Sequence, residues 1–384
     1  MTDCYLPRLG GIEVQVGELA ARLVRAGHDI EVFTATIGAD GRRGGAVDIV
    51  DGIPVHRLAV RMPAQIPWNP WEAAALRCRL AELPDVDVAH VHMGVVSPFA
   101  VDATRVLLAL GIPTTMTWHC MLGPLQVPFS LLGVYRRWAA RGVAMNAVSA
   151  VAAAPVQRVI GEAGRVAVLP NGIDLGTWWA GATVGSPPSP RAPSPGGVRI
   201  VTAMRLAPRK RPLALLRVVR AARELVPQVP IRLTVLGEGP VRGRMERYLT
   251  RHGMSDWVEL AGRVSRPELL RTYRDSHLYL TSARLESFGI AALEARCAGL
   301  PVVAMRDSGA VEFVLDGVNG YLAADDAGLA RAVARLVRDD RTRQRMVAHN
   351  LVNPPEQDWG HVLDLTLSEY RRARALRGFL PASQ

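Results

Sequence analysis

The chain is almost without lysine. Of its 46 basic residues only Lys210 is a lysine, and the remainder are arginines. Lys210 ends the segment Arg205-Leu-Ala-Pro-Arg-Lys210, so a flexible point charge stands close to a planar guanidinium. The two groups suit different phosphate contacts, because an ammonium can follow one oxygen whereas a guanidinium binds two. The pair indicates a phosphate site, and a solvated surface lysine is the alternative.

Cysteine and long apolar runs are also scarce. No two of the four cysteines have Cys-x-x-Cys spacing, which argues against a zinc site and a disulfide framework: Cys4, Cys78, Cys120 and Cys297. No apolar stretch reaches the roughly 18 residues of a membrane span, and the first residues lack the apolar core of a signal peptide. We expect a cytoplasmic protein in a reducing compartment, with peripheral contact at the inner membrane face as an open alternative.

Positive charge is in excess but dispersed. The formal net charge is +11, yet the arginines are spread along predicted helices and do not form a basic stripe with interleaved aromatic residues. We therefore expect no nucleic-acid partner. An anionic small substrate or an anionic membrane surface fits this charge better.

Apolar runs of strand length alternate with amphipathic segments of helix length, the pattern of βα units around parallel sheets. The predicted strands are 29–35, 86–92, 113–119 and 143–149 in the first half and 198–204, 231–236, 258–261, 277–281 and 301–305 in the second. The pattern predicts an α/β fold of two doubly wound, Rossmann-like domains that face each other across a cleft.

The domain boundary is predicted from composition. Residues 181–197 are rich in proline, serine and glycine and cannot build regular structure, so they are expected to link domains 1–180 and 198–355. A helix in 356–384 is expected to return to the first domain. Gly10-Gly11 follows closely on Met1, so either the first central strand of the N-terminal domain is missing or the true start lies upstream.

Two carboxylates stand after a predicted buried strand, at Glu286 and Glu294. Ser287 is a good N-cap residue, so a helix is predicted to begin near it, with free backbone N–H groups at 288–290. Such a helix end attracts an anion, and the carboxylates, at most about 12 Å apart, suit hydroxyls on either side of a diphosphate. An ordinary helix with two surface glutamates is the alternative.

Five motifs in order resemble the retaining, nucleotide-sugar-dependent glycosyltransferases of family 4, which have the GT-B fold. They are Gly10-Gly11, Pro170-Asn171-Gly172-Ile173-Asp174, Arg205 to Lys210, Glu286 to Glu294 and Gly309 to Glu312. The resemblance covers almost the whole chain. It implies an acceptor-side N-terminal domain and a C-terminal domain that binds the nucleotide sugar.

The resemblance implies catalytic roles for four residues. Arg205 and Lys210 match the pair that holds the diphosphate leaving group, and Glu286 matches the carboxylate near the donor sugar. His119, in Thr-Trp-His119 at the end of a predicted first-domain strand, matches the histidine beside the donor sugar. Cations near a departing diphosphate lower the barrier because its charge grows in the transition state.

The resemblance also implies donor-binding residues. Glu294 matches the carboxylate on the ribose hydroxyls, and the backbone of residues 288–290 would donate to phosphate or sugar. The residues implied in this way are Gly10, Gly11, Phe288, Gly289, Ile290 and Glu294, with Glu312 as a further position near the donor pocket.

Further contacts are expected at the ends of predicted strands. Gly237, in a Gly-Glu-Gly-Pro turn, is expected to approach the nucleotide, and Arg263 and Val264 are expected near the nucleobase. His92 ends a strand where ligands gather in open α/β sheets. A plain turn at Gly237 and a packed histidine at His92 are the alternatives.

The predicted function is retaining, metal-independent transfer of a hexose, such as mannose or glucose, from a nucleoside-diphosphate sugar. The acceptor would be a sugar, a lipid or a metabolite, such as an envelope glycolipid or polysaccharide precursor. No cofactor beyond the donor is expected. The alternatives are a non-catalytic GT-B module that binds a nucleotide sugar or a partner, and another GT-B activity such as epimerisation.

Two unusual segments of the first domain are expected to select the acceptor, 62–71 and 121–141. The second joins an apolar run to Arg136, Arg137 and Arg141, as segments at membrane interfaces do. It predicts either membrane docking or a helix packed at the rim of the cleft.

Overall fold

The computed structural model describes residues 1–8, 10–59, 72–83, 85–182 and 197–378. Within these ranges the chain forms two compact units. The first contains Met1–Gly172 and the chain from Trp359, and the second contains Ile173–Asp358. The expected acceptor segment 62–71 lies outside the described residues.

Helices and strands alternate along both units. The helices are α1 (Gly11–Arg25), α2 (Glu72–Glu82), α3 (Pro98–Leu110), α4 (Gln126–Leu132), α5 (Val134–Ala140), α6 (Ala150–Ile160), α7 (Leu175–Trp178), α8 (Pro212–Leu225), α9 (Arg242–Arg251), α10 (Arg266–Asp275), α11 (Ile290–Cys297), α12 (Asp326–Arg338), α13 (Asp340–Val352) and α14 (Trp359–Gly378). The strands are β1 (Val32–Thr34), β2 (Ala46–Val50), β3 (Ile53–Arg57), β4 (Ala89–Met93), β5 (Thr114–Trp118), β6 (Ala144–Ala147), β7 (Ala167–Val168), β8 (Val198–Ala203), β9 (Ile231–Leu236), β10 (Val258–Gly262), β11 (Leu278–Leu280), β12 (Val302–Met305) and β13 (Gly320–Ala323). This alternation confirms the predicted α/β class.

The sheet of the first unit has two sections that meet at the N-terminus. β4, β5, β6 and β7 are parallel neighbours, and β1 pairs with β3, which pairs with β2. Thr2 forms isolated parallel bridges to Thr34 in β1 and to His92 in β4. The Thr2 amide donates to Phe33 at 3.0 Å, and the His92 amide donates to Met1 at 2.9 Å. Residues 1–3 therefore occupy the place where the expected central strand would lie.

The β2–β3 hairpin is a feature that the sequence analysis missed. It turns at Asp51 and Gly52, which have φ angles of 50° and 80°. Positive φ at both turn residues matches the twist of the flanking strands, and Asp-Gly between alternating apolar residues is a signal for this turn. The Asp51-Gly52 pair in the sequence therefore indicates this hairpin.

The second unit is built on a wholly parallel sheet with the order β10-β9-β8-β11-β12-β13. From β8 the chain moves to one side through β9 and β10, and then returns to the other side with β11. The order thus reverses between β8 and β11, whose carboxyl ends form a topological switch point. Ligands of open α/β sheets bind at such points.

The structure divides the chain upstream of the compositional linker. Ile173 bridges to Asp358, and its amide donates to Gln357 at 2.9 Å. Trp178 is buried, with its ring centroid 6.2 Å from that of Tyr273. These contacts attach the described residues after Gly172 to the second unit. Residues 183–196 of the expected linker lie outside the described ranges.

The terminal helix α14 packs in the first unit through Trp359. The indole Nε1 donates to Glu18 at 2.8 Å, and the Arg22 guanidinium lies 4.5 Å from the ring centroid. Gly172 passes so close to the ring that a Cβ atom would collide with it. The apolar cluster around this contact consists of Leu19, Leu23, Trp359 and Val362.

We expect Trp359→Ala to lower the free energy of unfolding of the first unit by about 3 kcal/mol, the usual cost of truncating a buried tryptophan. Chemical denaturation followed by circular dichroism measures this change. Trp359→Phe, which keeps an apolar ring but loses the bond to Glu18, should cost less than half as much. An unchanged first unit in Trp359→Ala would contradict the packing role.

Candidate active site

Lys210 and Glu286 meet at the switch point of the second unit. Lys210 ends a short 3₁₀ turn after β8, and Glu286 lies in the segment between β11 and α11. The Lys210 ammonium donates to the Glu286 carboxylate, and the side chains are 20% and 18% exposed. The structure therefore brings together two of the predicted catalytic residues, which are 76 positions apart in sequence.

Arg205 places a second cation on the same loop as Lys210. Its side chain is exposed, and within the described residues its guanidinium makes no hydrogen bond or ion pair. The loop is tightly turned at this point, because the Ala207 amide donates to the Arg205 carbonyl at 2.7 Å. Arg205 is thus accessible to an anionic ligand.

Gly237 packs against the backbone next to Arg205. It has a φ angle of 125°, and a Cβ atom there would strike the carbonyl of Met204. The Leu206 amide donates to the Glu238 carbonyl at 2.9 Å, which joins the two loops. Gly237 is therefore required for close backbone packing, and its expected approach to the nucleotide stays a prediction.

The predicted start of the helix after Glu286 was wrong. α11 begins at Ile290, and its N-cap is Gly289 rather than Ser287. Gly289 has φ 94° and ψ 51°, a left-handed conformation that glycine adopts without steric penalty. Within the described residues, the backbone amides of Phe288, Gly289 and Ile290 donate no hydrogen bond. The predicted free donors are thus present although the cap was misplaced.

The Glu286 segment is held by the turn after β12. The Gly309 amide donates to the Glu286 carbonyl at 2.7 Å, and a Cβ atom on Gly309 would strike the backbone of Ser287 and Phe288. The Phe288 side chain is buried, with its ring centroid 5.7 Å from that of Phe313. Only the backbone of Phe288 can therefore serve a ligand, as the resemblance implied.

Glu294 lies half-buried on α11, and a tyrosine stands close to both predicted carboxylates. Burial raises the pKa of Tyr279, and the charges of Glu286 and Glu294 raise it further. The Tyr279 hydroxyl donates to the Ala203 carbonyl at 3.2 Å, at the end of β8. Sequence reasoning missed Tyr279 because a tyrosine in a buried strand carries no motif.

Two predicted positions lie farther along the sheet edge, and one lies in the turn after β12. Arg263 is exposed and Val264 half-buried, both after β10, which is two strands away from β8. Glu312 is half-buried in the turn Gly309–Glu312. The structure does not join Arg263 or Val264 to the Lys210–Glu286 pair.

The first unit carries a row of three imidazoles, joined by one hydrogen bond and one stacking contact. His119 Nε2 lies 3.0 Å from His92 Nδ1, and the Asn171 side chain contacts the His119 ring. His92 stacks on His90, with ring centroids 4.0 Å apart. His119 follows β5 and His92 lies in β4, so the pairing of neighbouring strands brings them together. Asn171 belongs to the Pro170–Asp174 motif, which does not indicate its contact with His119.

His90 continues this network toward the terminal helix. Its Nδ1 lies 3.1 Å from the Tyr370 hydroxyl, and its Nε2 lies 2.8 Å from Thr117 Oγ1. Burial lowers the pKa of His90 and of His92 well below the ordinary value and lowers that of His119 to about 4. The three imidazoles are therefore neutral at pH 7.

The predicted glycine pair lies at the start of α1 in the first unit. Gly10 is the N-cap in extended conformation, and Gly11 is the first helical residue, with open space where a Cβ atom would be. The buried Glu13 carboxylate reaches back to Gly10 and lies 3.4 Å from Arg8 Nε. Sequence reasoning missed this carboxylate, which places negative charge at the helix end that was expected to approach a phosphate.

The described residues lack two features, a membrane-spanning helix and a metal-binding cluster. No helix there combines the length and the apolar character needed to cross a bilayer. No group of three or more His, Cys, Asp or Glu side chains there is placed to hold a metal ion.

Comparison with known families identifies both halves of the chain. The family model described as Glycosyltransferase Family 4 matches residues 9–177, and the model described as Glycosyl transferases group 1 matches residues 192–350. The chain belongs to the family 4 glycosyltransferases. The fold and the family that the motifs indicated are thereby confirmed.

Similar proteins extend over nearly the whole chain. A D-inositol 3-phosphate glycosyltransferase of Pseudarthrobacter chlorophenolicus is 28% identical, covering 95% of this chain and 90% of its own length. A second D-inositol 3-phosphate glycosyltransferase, from Frankia alni, is 29% identical, with 95% of each chain covered. A phosphatidylinositol N-acetylglucosaminyltransferase component of Arabidopsis thaliana is 24% identical, with 97% and 81% covered.

Solved structures agree on the GT-B fold of this glycosyltransferase. Anabaena Alr3699/HepE, in complex with UDP and glucose, has a TM-score of 0.71 at 16% identity, covering 96% of this chain and 99% of that one. Sucrose-phosphate synthase from Thermosynechococcus elongatus has a TM-score of 0.73 at 18% identity, with 98% and 96% covered.

We expect the first unit to lose stability as the pH falls from 6.5 toward 4. Its imidazoles have lowered pKa values in the folded state, so in this window the unfolded chain binds protons that the folded unit does not. Asp3 acts in the opposite direction, because burial raises its pKa to about 6, but it is one carboxyl against three imidazoles. Thermal unfolding at a series of pH values measures the slope. His92→Gln, which cannot titrate, should reduce it, and an equal slope in that variant would contradict the assignment.

Proposed function

We propose that this glycosyltransferase transfers a hexose from a nucleoside-diphosphate sugar to an acceptor hydroxyl, with retention of anomeric configuration and without a metal ion. The observation that carries the proposal is the Lys210–Glu286 pair at the switch point of the second unit. Arg205 and the free amides of residues 288–290 lie on the same two connecting segments. Two cations and a helix end here suit a diphosphate.

The two cations would stabilise the departing diphosphate. When the bond between the anomeric carbon and the phosphate oxygen breaks, its electron pair leaves with the diphosphate. One cation about 4 Å from that charge is worth roughly 4 kcal/mol at an effective dielectric constant of about 20. Only the part of this attraction that grows in the transition state accelerates transfer. Lys210 and Arg205 would supply it, and Lys210 would exchange its Glu286 partner for a phosphate oxygen.

The two carboxylates and residues of the first unit would bind the rest of the donor. Glu294 would accept hydrogen bonds from the ribose hydroxyls and Glu286 from a donor-sugar hydroxyl. The acceptor oxygen would attack the anomeric carbon on the face that the diphosphate leaves, and its proton would pass to the departing phosphate oxygen. His119 would contact the donor sugar as a neutral imidazole, and Gly10 and Gly11 would approach the phosphate.

The similar proteins suggest which substrates to test first. HepE is described in complex with UDP and glucose, which favours glucose among the donor hexoses. The relatives are named for D-inositol 3-phosphate and for phosphatidylinositol. We therefore propose a polyol or lipid-linked hydroxyl as acceptor, consistent with an envelope glycolipid or polysaccharide precursor.

We further propose that α4 and α5 bring the protein to an anionic lipid surface. Leu131 is 83% exposed, and its neighbours Val127 and Leu132 are also largely exposed. No aspartate or glutamate occurs between Asp102 and Glu162, so every charged side chain in this stretch of sequence is basic. Arg136, Arg137 and Arg141 are exposed on or just after α5, and Arg158 is exposed on α6. Arg158 Nη2 donates to Gln126 at the start of α4 at 3.1 Å. Exposed apolar side chains flanked by arginines are typical of interfacial segments.

Lys210→Ala should reduce kcat for transfer by about 10² to 10³, the usual effect of removing one group that stabilises developing charge. The assay measures nucleotide release and product formation with UDP-, GDP- and ADP-sugars against inositol phosphate, phosphatidylinositol and simple sugars. Glu294→Ala should instead raise the donor KM, because ribose contacts are made in the ground state as well. Donor binding without turnover across the acceptor panel would favour the non-catalytic module.

Vesicle binding tests the lipid surface. We expect the protein to cosediment with phosphatidylglycerol vesicles but not with phosphatidylcholine vesicles, and added salt should weaken binding because it screens the arginines. Leu131→Ser/Leu132→Ser and Arg136→Ser/Arg137→Ser should each abolish it. Val352→Ser, which removes another exposed apolar side chain, is the matched control. Equal binding by all variants, or none by the unaltered protein, would contradict the proposal.

A further inference from the structure

Arg211, the residue after Lys210, has an unusual backbone. Its φ and ψ are 56° and 45°, a left-handed conformation that costs energy in any residue with a side chain. In the described chain, Asp51 is the other non-glycine residue with positive φ, and it forms the β2–β3 turn. Arg211 directly precedes α8, where its side chain does not cap the helix. The strained residue is thus beside the lysine that the proposed function depends on.

The side chain and backbone of Arg211 both bind the segment after β11. Its Nη1 donates to the Ser282 carbonyl at 3.0 Å, and Ser282 Oγ donates to the Arg211 carbonyl at 3.0 Å. Ser282 is fully buried and the Arg211 side chain is partly exposed, so these two bonds are partly shielded from water. Because the bonds run in opposite directions between the same two residues, they fix the distance and the orientation of the two segments.

A third contact ties Arg211 to α12. Its Nη2 donates to Asp326 Oδ2 at 2.8 Å. The other oxygen, Asp326 Oδ1, is buried without a hydrogen-bond partner in the described residues. Arg211 is therefore the cation that compensates Asp326, and the carboxylate in turn orients the guanidinium toward Ser282.

These contacts determine where Lys210 and Glu286 lie. Lys210 is bonded to Arg211 through one peptide, and Glu286 is four residues after Ser282. The 3₁₀ turn of Lys210 ends in the Arg211 amide, which donates to Pro208 at 3.0 Å. Any rotation of Arg211 would thus move the lysine, and the clamp to Ser282 restrains that rotation.

We propose that Arg211 is a positioning residue that fixes Lys210 against the Glu286 segment before the donor binds. Its guanidinium is engaged by Ser282 and Asp326 and would not contact substrate or phosphate. The inference rests on the proposed function of Lys210, and it explains why a strained arginine is present where glycine would adopt the same φ without cost. A prearranged cation stabilises the transition state more than one that must be ordered during the reaction.

Arg211→Gly and Arg211→Asn separate the effect of backbone strain at residue 211 from the effect of its side-chain contacts. Both substitutions tolerate positive φ and so relieve the backbone strain, which offsets part of the loss of the bonds to Ser282 and Asp326. Thermal stability should therefore fall only moderately. We expect kcat to fall about tenfold while the donor KM stays within about threefold, because the ribose contacts of Glu294 remain. Arg211→Lys, which keeps a charge for Asp326 but cannot also hold Ser282 in the same way, should recover part of kcat.

Arg209→Asn is the matched control, because Arg209 is exposed on the same loop and has no partner in the described residues. It should leave kcat nearly unchanged. An equal loss of kcat in Arg209→Asn would mean that charge on the loop matters and not the clamp, which would overturn the inference. Full activity of Arg211→Asn would overturn it as well.

A double-mutant cycle separates this inference from the proposed function. Arg211→Asn should have no further effect on residual transfer in a Lys210→Ala background, because the clamp acts through the lysine. Additive losses would contradict positioning through Lys210. If Lys210→Ala leaves transfer unchanged, the proposed function is wrong. If Lys210→Ala reduces transfer but Arg211→Asn does not, only the positioning role is wrong.

Discussion

The ion pair between Lys210 and Glu286 is the interaction on which the account of the site depends. It joins the connections after β8 and β11, the two strands between which the sheet order reverses. Both side chains are only partly exposed, and each compensates the charge of the other. A diphosphate would compete with the glutamate for the same ammonium. Glu286 can therefore keep the lysine side chain ordered, and a phosphate could still replace the glutamate as its partner.

Close backbone packing makes that arrangement rigid. Glycines at 237 and 309 let neighbouring connections approach to distances that a side chain would prevent, and Arg211 adds a clamp between the segments of Lys210 and Glu286. The first unit uses a different device, a row of neutral imidazoles held by Asn171 at one end and Tyr370 at the other. In both units the polar groups are oriented by contacts within the fold.

Much of this could be predicted from the sequence, because βα alternation and the motif residues are local signals. Lys210 stood out as the only lysine, and Glu286 followed a recognisable buried strand. What could not be predicted depends on tertiary contacts. The helix cap is Gly289 and not Ser287, in a segment that the Gly309 amide holds through the Glu286 carbonyl. Arg211, Tyr279 and the His92–His119 contact gain their places only from strand order and register. The missed hairpin is different, since its Asp-Gly turn was readable.

The most direct measurement is calorimetric binding of UDP and of uridine to the unaltered protein, Glu286→Gln and Lys210→Met. If Glu286 competes with phosphate for the lysine, Glu286→Gln should bind UDP more tightly, about tenfold for 1.4 kcal/mol, whereas Lys210→Met should bind it more weakly. Uridine, which lacks phosphate, should bind all three proteins alike. Equal affinity of the three proteins for UDP would contradict the claim that Lys210 is the phosphate cation held in waiting by Glu286.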